Sequence, residues 1–498
     1  MIDVKQGMST ADNERFLKLW YEVLYNKIGF QIKSREEAKN SKKKWFPYNK
    51  GGEFRKWYGN NDYVVNWEND GVELKNFAGS VIRNPEYFFQ DGMEYSTISS
   101  SKISFRKFDF GFILGGGSSA IYKCKNQDYI CGLVNSSIIN NILLFLSPTL
   151  NFSNGIIALI PVIIKNTDEI SRIVESNIEI SKDDWDSFET SWDFETHPLL
   201  RFKENGKIAD SFSKWQQYKQ EQFDKLKANE EELNRLFIEI YGLQDEMTPE
   251  VADQYVSVRK ADLGRDIKSF ISYAVGCMFG RYSLDVPGLA YAGGDWNASK
   301  YKTFAADKEN VIPICDDEYF QDDIVGYFVK FVETVYGHQT LEQNLRFISD
   351  ALGGNGTSRN IIRNYFMNEF YKDHVKVYQK RPIYWLFDAG KKNSFKCLIY
   401  MHRYRPDTIA RVRTDYVHER QSRYDAKIKE LDERINKADT FGKVKLMKQL
   451  NKLKEQADEI YAYEAKTHHL ADRMIEINLD DGVKHNYEIF KGVLAKIK

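Results

Sequence analysis

An α+β fold is predicted for this chain of 498 residues: a mixed, β-rich region joined to long helices and a C-terminal helical hairpin, with no complete Rossmann-like domain. Three observations predict it. Apolar residues alternate with a period of two at Tyr63, Val65 and Trp67, and again at Phe108, Phe110 and Phe112, as half-buried strands require. Later the spacing lengthens to three and four, through Ile428, Leu431, Ile435 and Ala438 and then Leu446, Leu450, Leu453, Ala457 and Ile460, which is the seam of paired helices. Finally, Gly115–Ala120 fits G-x-G-x-x-A after FDFGFIL, but IYKCKNQDYICG follows it and positions 129–164 hold no acid to meet a ribose. A tight loop at a sheet edge is expected there instead.

The elements are expected in the following order. Phe16, Leu17, Trp20, Val23, Leu24 and Ile28 fall on one stripe and predict a helix over 10–30. From about 45 to 165 the texture is that of strands, and residues 1–165 are read as one domain, a helix plus a β-rich region. Residues 166–242 are an acidic connector and a long helix over 212–240, with Phe212, Trp215, Leu226, Leu233, Phe237 and Ile240 on its apolar side and Gly242 as its stop. Residues 243–407 form a second mixed α/β domain with glycine-rich loops at 292–294 and 353–356. Residues 408–498 hold the hairpin and a tail, Thr440-Phe441-Gly442 separating the two helical runs. A structural strut is the ordinary role for so short a pair.

Composition narrows the class. Hydrophobic content of 42%, charge of 29% and a net charge of −1 describe an ordinary soluble globular protein. Five scattered cysteines, none in CxxC spacing, suit a reducing cytoplasm and offer no zinc site. The N-terminus is too polar for a signal peptide. The uncharged stretch 129–164 is broken by Asn and Pro, and its longest fully apolar run, IIALIPVII, is too short to span a bilayer; it is read as buried core, with no membrane as partner.

Against that neutral background one tract stands out. From Lys39 to Tyr58 there are seven basic residues and one acid, Glu53. Lys42, Lys43, Lys44, Lys50, Arg55 and Lys56 are candidates to neutralise phosphates, and Trp45 and Tyr48 to stack on bases. The alternative is a solvated loop that its aromatics anchor to a core. A second basic stretch contributes Arg381, Lys391 and Lys392, although Glu369 and Asp373 weaken its field. Other motifs carry less. Asn84-Pro85-Glu86-Tyr87 resembles the (Asp/Asn)-Pro-Pro-(Tyr/Phe) motif of amino-methyltransferases, but Glu86 replaces its second proline. Asp62 or Asp70 with Glu73-Leu74-Lys75 makes a loose Mg²⁺-nuclease pattern, short enough to arise by chance. No residue is therefore assigned as catalytic or metal-binding.

Several long segments carry a resemblance. MSTADNERFLKLWYEV, KKKWFPYNKGGEFRKWYGNNDYVVNWENDG, SPTLNFSNGIIALIP, SFETSWDFETHPLL, RPIYWLFDAGKKNSFKCLIYMHRYRPDTIARVRTDYVHE and LDDGVKHNYEIFKGVLAKIK run in order along the chain. They resemble the adenine-specific DNA methyltransferases of type 1 BREX phage-defence systems, the PglX family. The resemblance implies a target-recognition portion downstream of catalysis, because the family's Gly-rich cofactor loop and intact Asn-Pro-Pro-Tyr are not in this chain. It further implies no cofactor here, with S-adenosylmethionine expected in an N-terminal methyltransferase domain outside this sequence, the chain being a C-terminal fragment or a split-gene product. Expected partners are double-stranded DNA, that catalytic domain and other BREX proteins, in the bacterial cytoplasm. Within MEYSTISSSKISFRKFDFGFILGGGSSAIY the family's usual Trp–Ser pair and proline are replaced by Tyr95 and Lys107-Phe108-Asp109. Base reading is expected from the loops of this region, at Ser99, Ser100, Lys102, Arg106, Gly117, Ser118 and Ser119, since loop side chains reach groove edges freely. The competing readings are a self-contained DNA-modifying or DNA-cleaving enzyme, and a docking scaffold for other BREX proteins.

Overall fold

The computed structural model describes residues 3–99, 102–148 and 151–497. The fold is α+β, and the chain divides into two compact units. One comprises residues up to Pro198 together with Ser213–Asp262; the other comprises Leu199–Phe212 and the residues from Leu263 onward.

Among the described residues the first unit holds eight short strands: β1 (Asp3–Gln6), β2 (Leu17–Leu19), β3 (Trp45–Asn49), β4 (Tyr63–Asn66), β5 (Gly92–Ser96), β6 (Phe105–Phe108), β7 (Ile113–Leu114) and β8 (Ser118–Tyr122). They form two four-stranded sheets, ordered β1-β8-β5-β6 and β2-β4-β3-β7. Pro47 interrupts donation within β3, and it is tolerated because β7 pairs only with Tyr48 and Asn49, beyond the proline. The expected alternation of Tyr63 and Val65 lies in β4, and Gly115–Ala120 turns directly into strand β8 as a tight loop.

Three expectations for this unit fail. Phe108, Phe110 and Phe112 do not share one strand, because Phe108 ends β6 and Phe110 lies exposed in the turn before β7. Residues 10–30 are not a helix. A short turn over Asn13–Phe16, capped by Asp12, gives way to β2, which pairs with Tyr63–Val65 on β4, and then to 3₁₀ turns at Trp20–Glu22 and Tyr25–Lys27. Residues 16–23 are buried on all sides, so strand pairing outweighs the helical period. The end of the presumed strand region is helical: α1 (Gln127–Asn135), α2 (Ser137–Leu146) and a turn over Asn154–Ala158. In α1 every residue from Tyr129 to Asn135 is buried, and full burial erases the periodicity that separates a helix from a strand. The acidic connector is also part of the unit. Its helix α3 (Thr167–Asp186) packs on α1 so closely that a Cβ at Gly132 would fall 2.9 Å from Val174. The long helix α4 (Ile208–Tyr241) matches expectation, with Trp215, Leu226, Leu233 and Phe237 buried and Gly242 ending it at a φ of +71°. Among the described residues no single helix is long and apolar enough to cross a membrane; α1 and α2 form a pair bent by 64°.

The second unit contains a three-stranded sheet, β9 (Ile312–Pro313), β10 (Tyr384–Asp388) and β11 (Lys396–Tyr400), in the order β10-β11-β9. Helices α5 (Leu263–Met278), α6 (Ile324–Tyr336), α7 (Leu341–Leu352), α8 (Ser358–Asn368) and α9 (Phe370–Val377) complete its body. The hairpin is α10 (His418–Lys437) and α11 (Thr440–Ala471). Its turn falls at Ala438–Asp439, earlier than expected. Asp439 Oδ1 accepts the Gly442 amide at 2.9 Å as an N-cap, so Thr440-Phe441-Gly442 is the first turn of α11 and not the separator.

Candidate nucleic-acid interface

At one end of the first unit's sheets three loops converge. They follow β3, follow β5 and precede β8. The Ser96 hydroxyl donates to the Gly52 carbonyl at 3.1 Å and accepts the Gly52 amide at 3.2 Å. The Thr97 amide and hydroxyl both donate to the Gly117 carbonyl at 3.2 Å. Gly51, at a φ of +83°, sits where a Cβ would lie 3.1–3.3 Å from Ser96, Ser118 and Gly117, so only glycine lets the loops close so tightly. The rim they form exposes Gly52, Glu53, Ile98 and Gly117, with Ser99 beside them donating its hydroxyl to the Lys102 carbonyl at 3.1 Å. Two half-buried lysines flank it, the Lys50 ammonium 4.1 Å from the Tyr63 ring centre and the Lys102 ammonium 3.9 Å from that of Tyr255. Burial and the nearby Lys56 lower the Lys102 ammonium's pKa. The sequence pointed to these loops separately; their meeting through backbone hydrogen bonds has no sequence signal beyond the glycines.

The structure divides the basic tract. Lys42 is exposed, in left-handed backbone at a φ of +55°, and the Lys43 ammonium caps the Asn26 carbonyl. Lys44 lies 5.5 Å from the Trp45 ring. Trp45 and Tyr48 are core residues, buried in β3, with no face for a base. Arg55 and Lys56 face inward. Lys56 Nζ pairs with Glu230 Oε2 of α4 at 2.5 Å, and Glu230 Oε1 accepts the Trp57 indole N–H at 2.7 Å. Arg55 Nη1 reaches Asp184 Oδ2 of α3 at 3.3 Å, while Lys219 and the Arg259 amide hold Asp184 Oδ1. Burial pushes the Asp184 carboxyl up, and Lys219 and Arg55 more than offset it, so its pKa lies below the usual carboxylate range. These pairs clamp the tract to the helices, and removing one partner of such a pair costs about 3–5 kcal/mol.

Arg106 likewise does not reach a groove. It is 1% exposed, directly across from Glu94 on β5, with Nε donating to Glu94 Oε1 at 3.1 Å and Nη1 to the Arg55 carbonyl at 3.2 Å. Ser118 and Ser119 are fully buried in β8, because the loop ends at Gly117. Ser100 lies outside the described residues. In the second unit, Arg381 is half-buried and donates to the Lys380 carbonyl at 3.2 Å, Lys391 is exposed, and Lys392 pairs with Glu455 of α11 at 2.5 Å.

The weaker motifs do not assemble. Tyr87 donates its hydroxyl to Asp3 and is buried, and Asn84 donates to the Gln6 carbonyl, so neither is presented to a flipped base. Asp62 precedes β4, whereas Asp70, paired with Arg35 and Lys75, and Glu73, paired with Arg15, follow it. Burial pushes the Asp62 carboxyl up to about 6 against the pull of Arg55. Among the described residues no three His, Cys, Asp or Glu side chains come together as a metal site would need. A cavity of about 420 Å³ in the second unit includes Trp296, Asp307 and Arg403. Its indole stacks on Tyr301 at 4.7 Å and has the Arg403 guanidinium 4.3 Å from the ring centre.

No family model matches the chain. Two known proteins nonetheless match it along nearly its whole length, and both are named adenine-specific methyltransferases. It is 42% identical over 98% of its length to the adenine-specific methyltransferase PglX of Lacticaseibacillus casei (strain Zhang), and 36% identical over 99% to the adenine-specific methyltransferase BrxX of Escherichia coli O9:H4 (strain HS). The chain belongs to this PglX-like family of the BREX type. It spans 42% and 43% of the length of these two relatives.

Proposed function

We propose that the chain is the DNA sequence-recognition portion of a BREX adenine-N6 methyltransferase, presenting duplex DNA to an S-adenosylmethionine-dependent catalytic domain outside this sequence. The observation that carries this reading is the rim where Gly52, Ile98, Ser99 and Gly117 meet at the strand ends, in a chain similar to adenine-specific methyltransferases. Its loops are fixed by backbone and short hydroxyl hydrogen bonds, which leaves neighbouring side chains free to vary. Lys50 and Lys102 flank the rim as donors suited to the O6 and N7 of guanine. Lys42, Lys43 and Lys44, outside the buried clamp, suit the phosphates.

The test is fluorescence anisotropy with labelled duplexes across a salt series, together with methylation-site sequencing when the chain is joined to the catalytic half of its protein. Lys102→Ala should relax one base position, a good base contact being worth roughly 1–3 kcal/mol of discrimination. The Lys42→Ala, Lys43→Ala, Lys44→Ala triple should weaken all duplexes alike. The isolated chain should leave labelled S-adenosylmethionine untransferred. Absence of duplex binding by the unmodified chain at low salt would end this reading.

A further inference from the structure

The end of the helical hairpin is a positive surface less neutralised than the tract at 39–58, where Arg55 and Lys56 are paired with buried carboxylates. Between Arg434 and Lys454 the sequence holds seven cations, Arg434, Lys437, Lys443, Lys445, Lys448, Lys452 and Lys454, against one acid. That acid, Asp439, is engaged as the N-cap of α11. All seven cations are exposed, and of these only Arg434 makes an ion pair, with Glu430 one turn away at 3.4 Å. No residue from 432 to 449 is buried, so the last turns of α10 and the first turns of α11 project from the body of their unit. The hairpin is fixed only nearer its base, by Leu431, Leu450 and the polar contacts of Glu455 and Glu459.

The tip is also apolar where solvent would favour polar side chains. Phe441 is 87% exposed, Val444 59% and Met447 46%. On α11, Phe441, Lys445, Lys448 and Lys452 follow one another at steps of four, three and four, and so share one face. The three lysines are spread over about 10 Å of helix axis at 1.5 Å per residue. A rigid row of free ammonium groups ending in an exposed aromatic matches the side of a duplex, where phosphates line a groove and an apolar side chain can rest on or between bases.

We propose that the tip of the α10–α11 hairpin is a second duplex-DNA contact, with Lys445, Lys448 and Lys452 on phosphates of one strand and Phe441 on the groove floor. The inference rests on the reading of the chain as a DNA-recognition portion. An anionic membrane would meet a similar surface, but the relatives' names make DNA the occupant to test.

The decisive measurement compares the full chain with its Lys445→Ala, Lys448→Ala, Lys452→Ala triple on the same duplex between 50 and 300 mM salt, roughly the range over which phosphate contacts separate. The triple should shallow the slope of log K against log salt by about 2 to 3, each lost phosphate contact contributing about 0.9. Arginine at the same three positions should restore it. Phe441→Ala should weaken binding several-fold with the slope unchanged. These side chains are exposed, so melting temperatures should match the parent. If the parent binds duplex and the triple keeps its slope, the tip contact is overturned while the recognition reading survives. If the parent does not bind duplex at all, both fall. If the triple loses binding to phosphatidylserine vesicles but not to DNA, the tip is a membrane surface and the proposal is wrong.

Discussion

His374 shows how a single side chain ties this fold to pH. It is buried, and its Nε2 accepts the amides of Ile383 at 3.1 Å and Tyr384 at 3.0 Å, which requires a neutral ring with the proton on Nδ1. Burial, reinforced by Arg281, holds its pKa down to about 3; burial alone does the same to His197. Below pH 6.5 the unfolded chain takes up these protons and the folded chain does not, so stability falls as pH drops from 6.5 toward 3. Each histidine contributes at most about 1.4 kcal/mol per pH unit. His374→Gln, whose amide oxygen accepts the same N–H groups, should make the decline of melting temperature between pH 6.5 and 4 shallower; a curve parallel to the parent's would mean that His374 is not held neutral. At this scale the sequence was least legible. Lys42 and Lys56 are neighbours in one basic run, yet Lys56 is consumed by Glu230, 174 residues away, and Lys42 is not. Arg106 looked like a groove-reading arginine because its strand partner Glu94 becomes visible only once β5 and β6 are in register.

Elements were legible where one period persists and one face is buried. The long helix α4 and the α10–α11 hairpin are of this kind, and so is the glycine loop before β8. Legibility failed where burial is all-round, in β2 and in α1, because residues buried on every side carry no period; α2 is different, since its end exposes Phe145 and Leu146. The hairpin also shows why its tip went unmarked: its heptad seam invited a structural reading, and the lysines between seam positions are ordinary for a solvated helix. Its anchorage can be tested at Glu459. That carboxylate accepts the Lys392 amide at 2.8 Å, the Ser394 amide at 3.1 Å and the Ser394 hydroxyl at 2.8 Å, binding the β10–β11 turn to α11. Glu459→Ala should cost roughly 1–3 kcal/mol of stability, the range for leaving such donors unmatched. Hydrogen exchange should quicken at the Lys392 and Ser394 amides while the helical amides beyond Gly442 keep the parent's rate. Unchanged exchange at both turn amides would refute that anchorage.

At the largest scale the chain forms two compact units, so its unfolding should not be a single all-or-none event. Calorimetry should return a van't Hoff enthalpy clearly below the calorimetric one, and equality of the two would mean that the units melt as one. The predicted division into four segments at 165, 242 and 407 follows changes of sequence texture; the packing instead gathers the segments into two. The order in which the units take up the chain has a consequence for synthesis. The first unit needs residues up to Asp262, but Leu199–Phe212, which belong to the second, leave the ribosome before Ser213–Asp262 do. The nascent first unit must therefore wait, with its sheets made, while residues that pack in the second, among them the opening turn of α4, are synthesised ahead of its last segment. Cutting after Asp262 keeps every residue of the first unit but leaves fourteen that pack with the second without their partners, and cutting before Leu263 strips the second of those same fourteen.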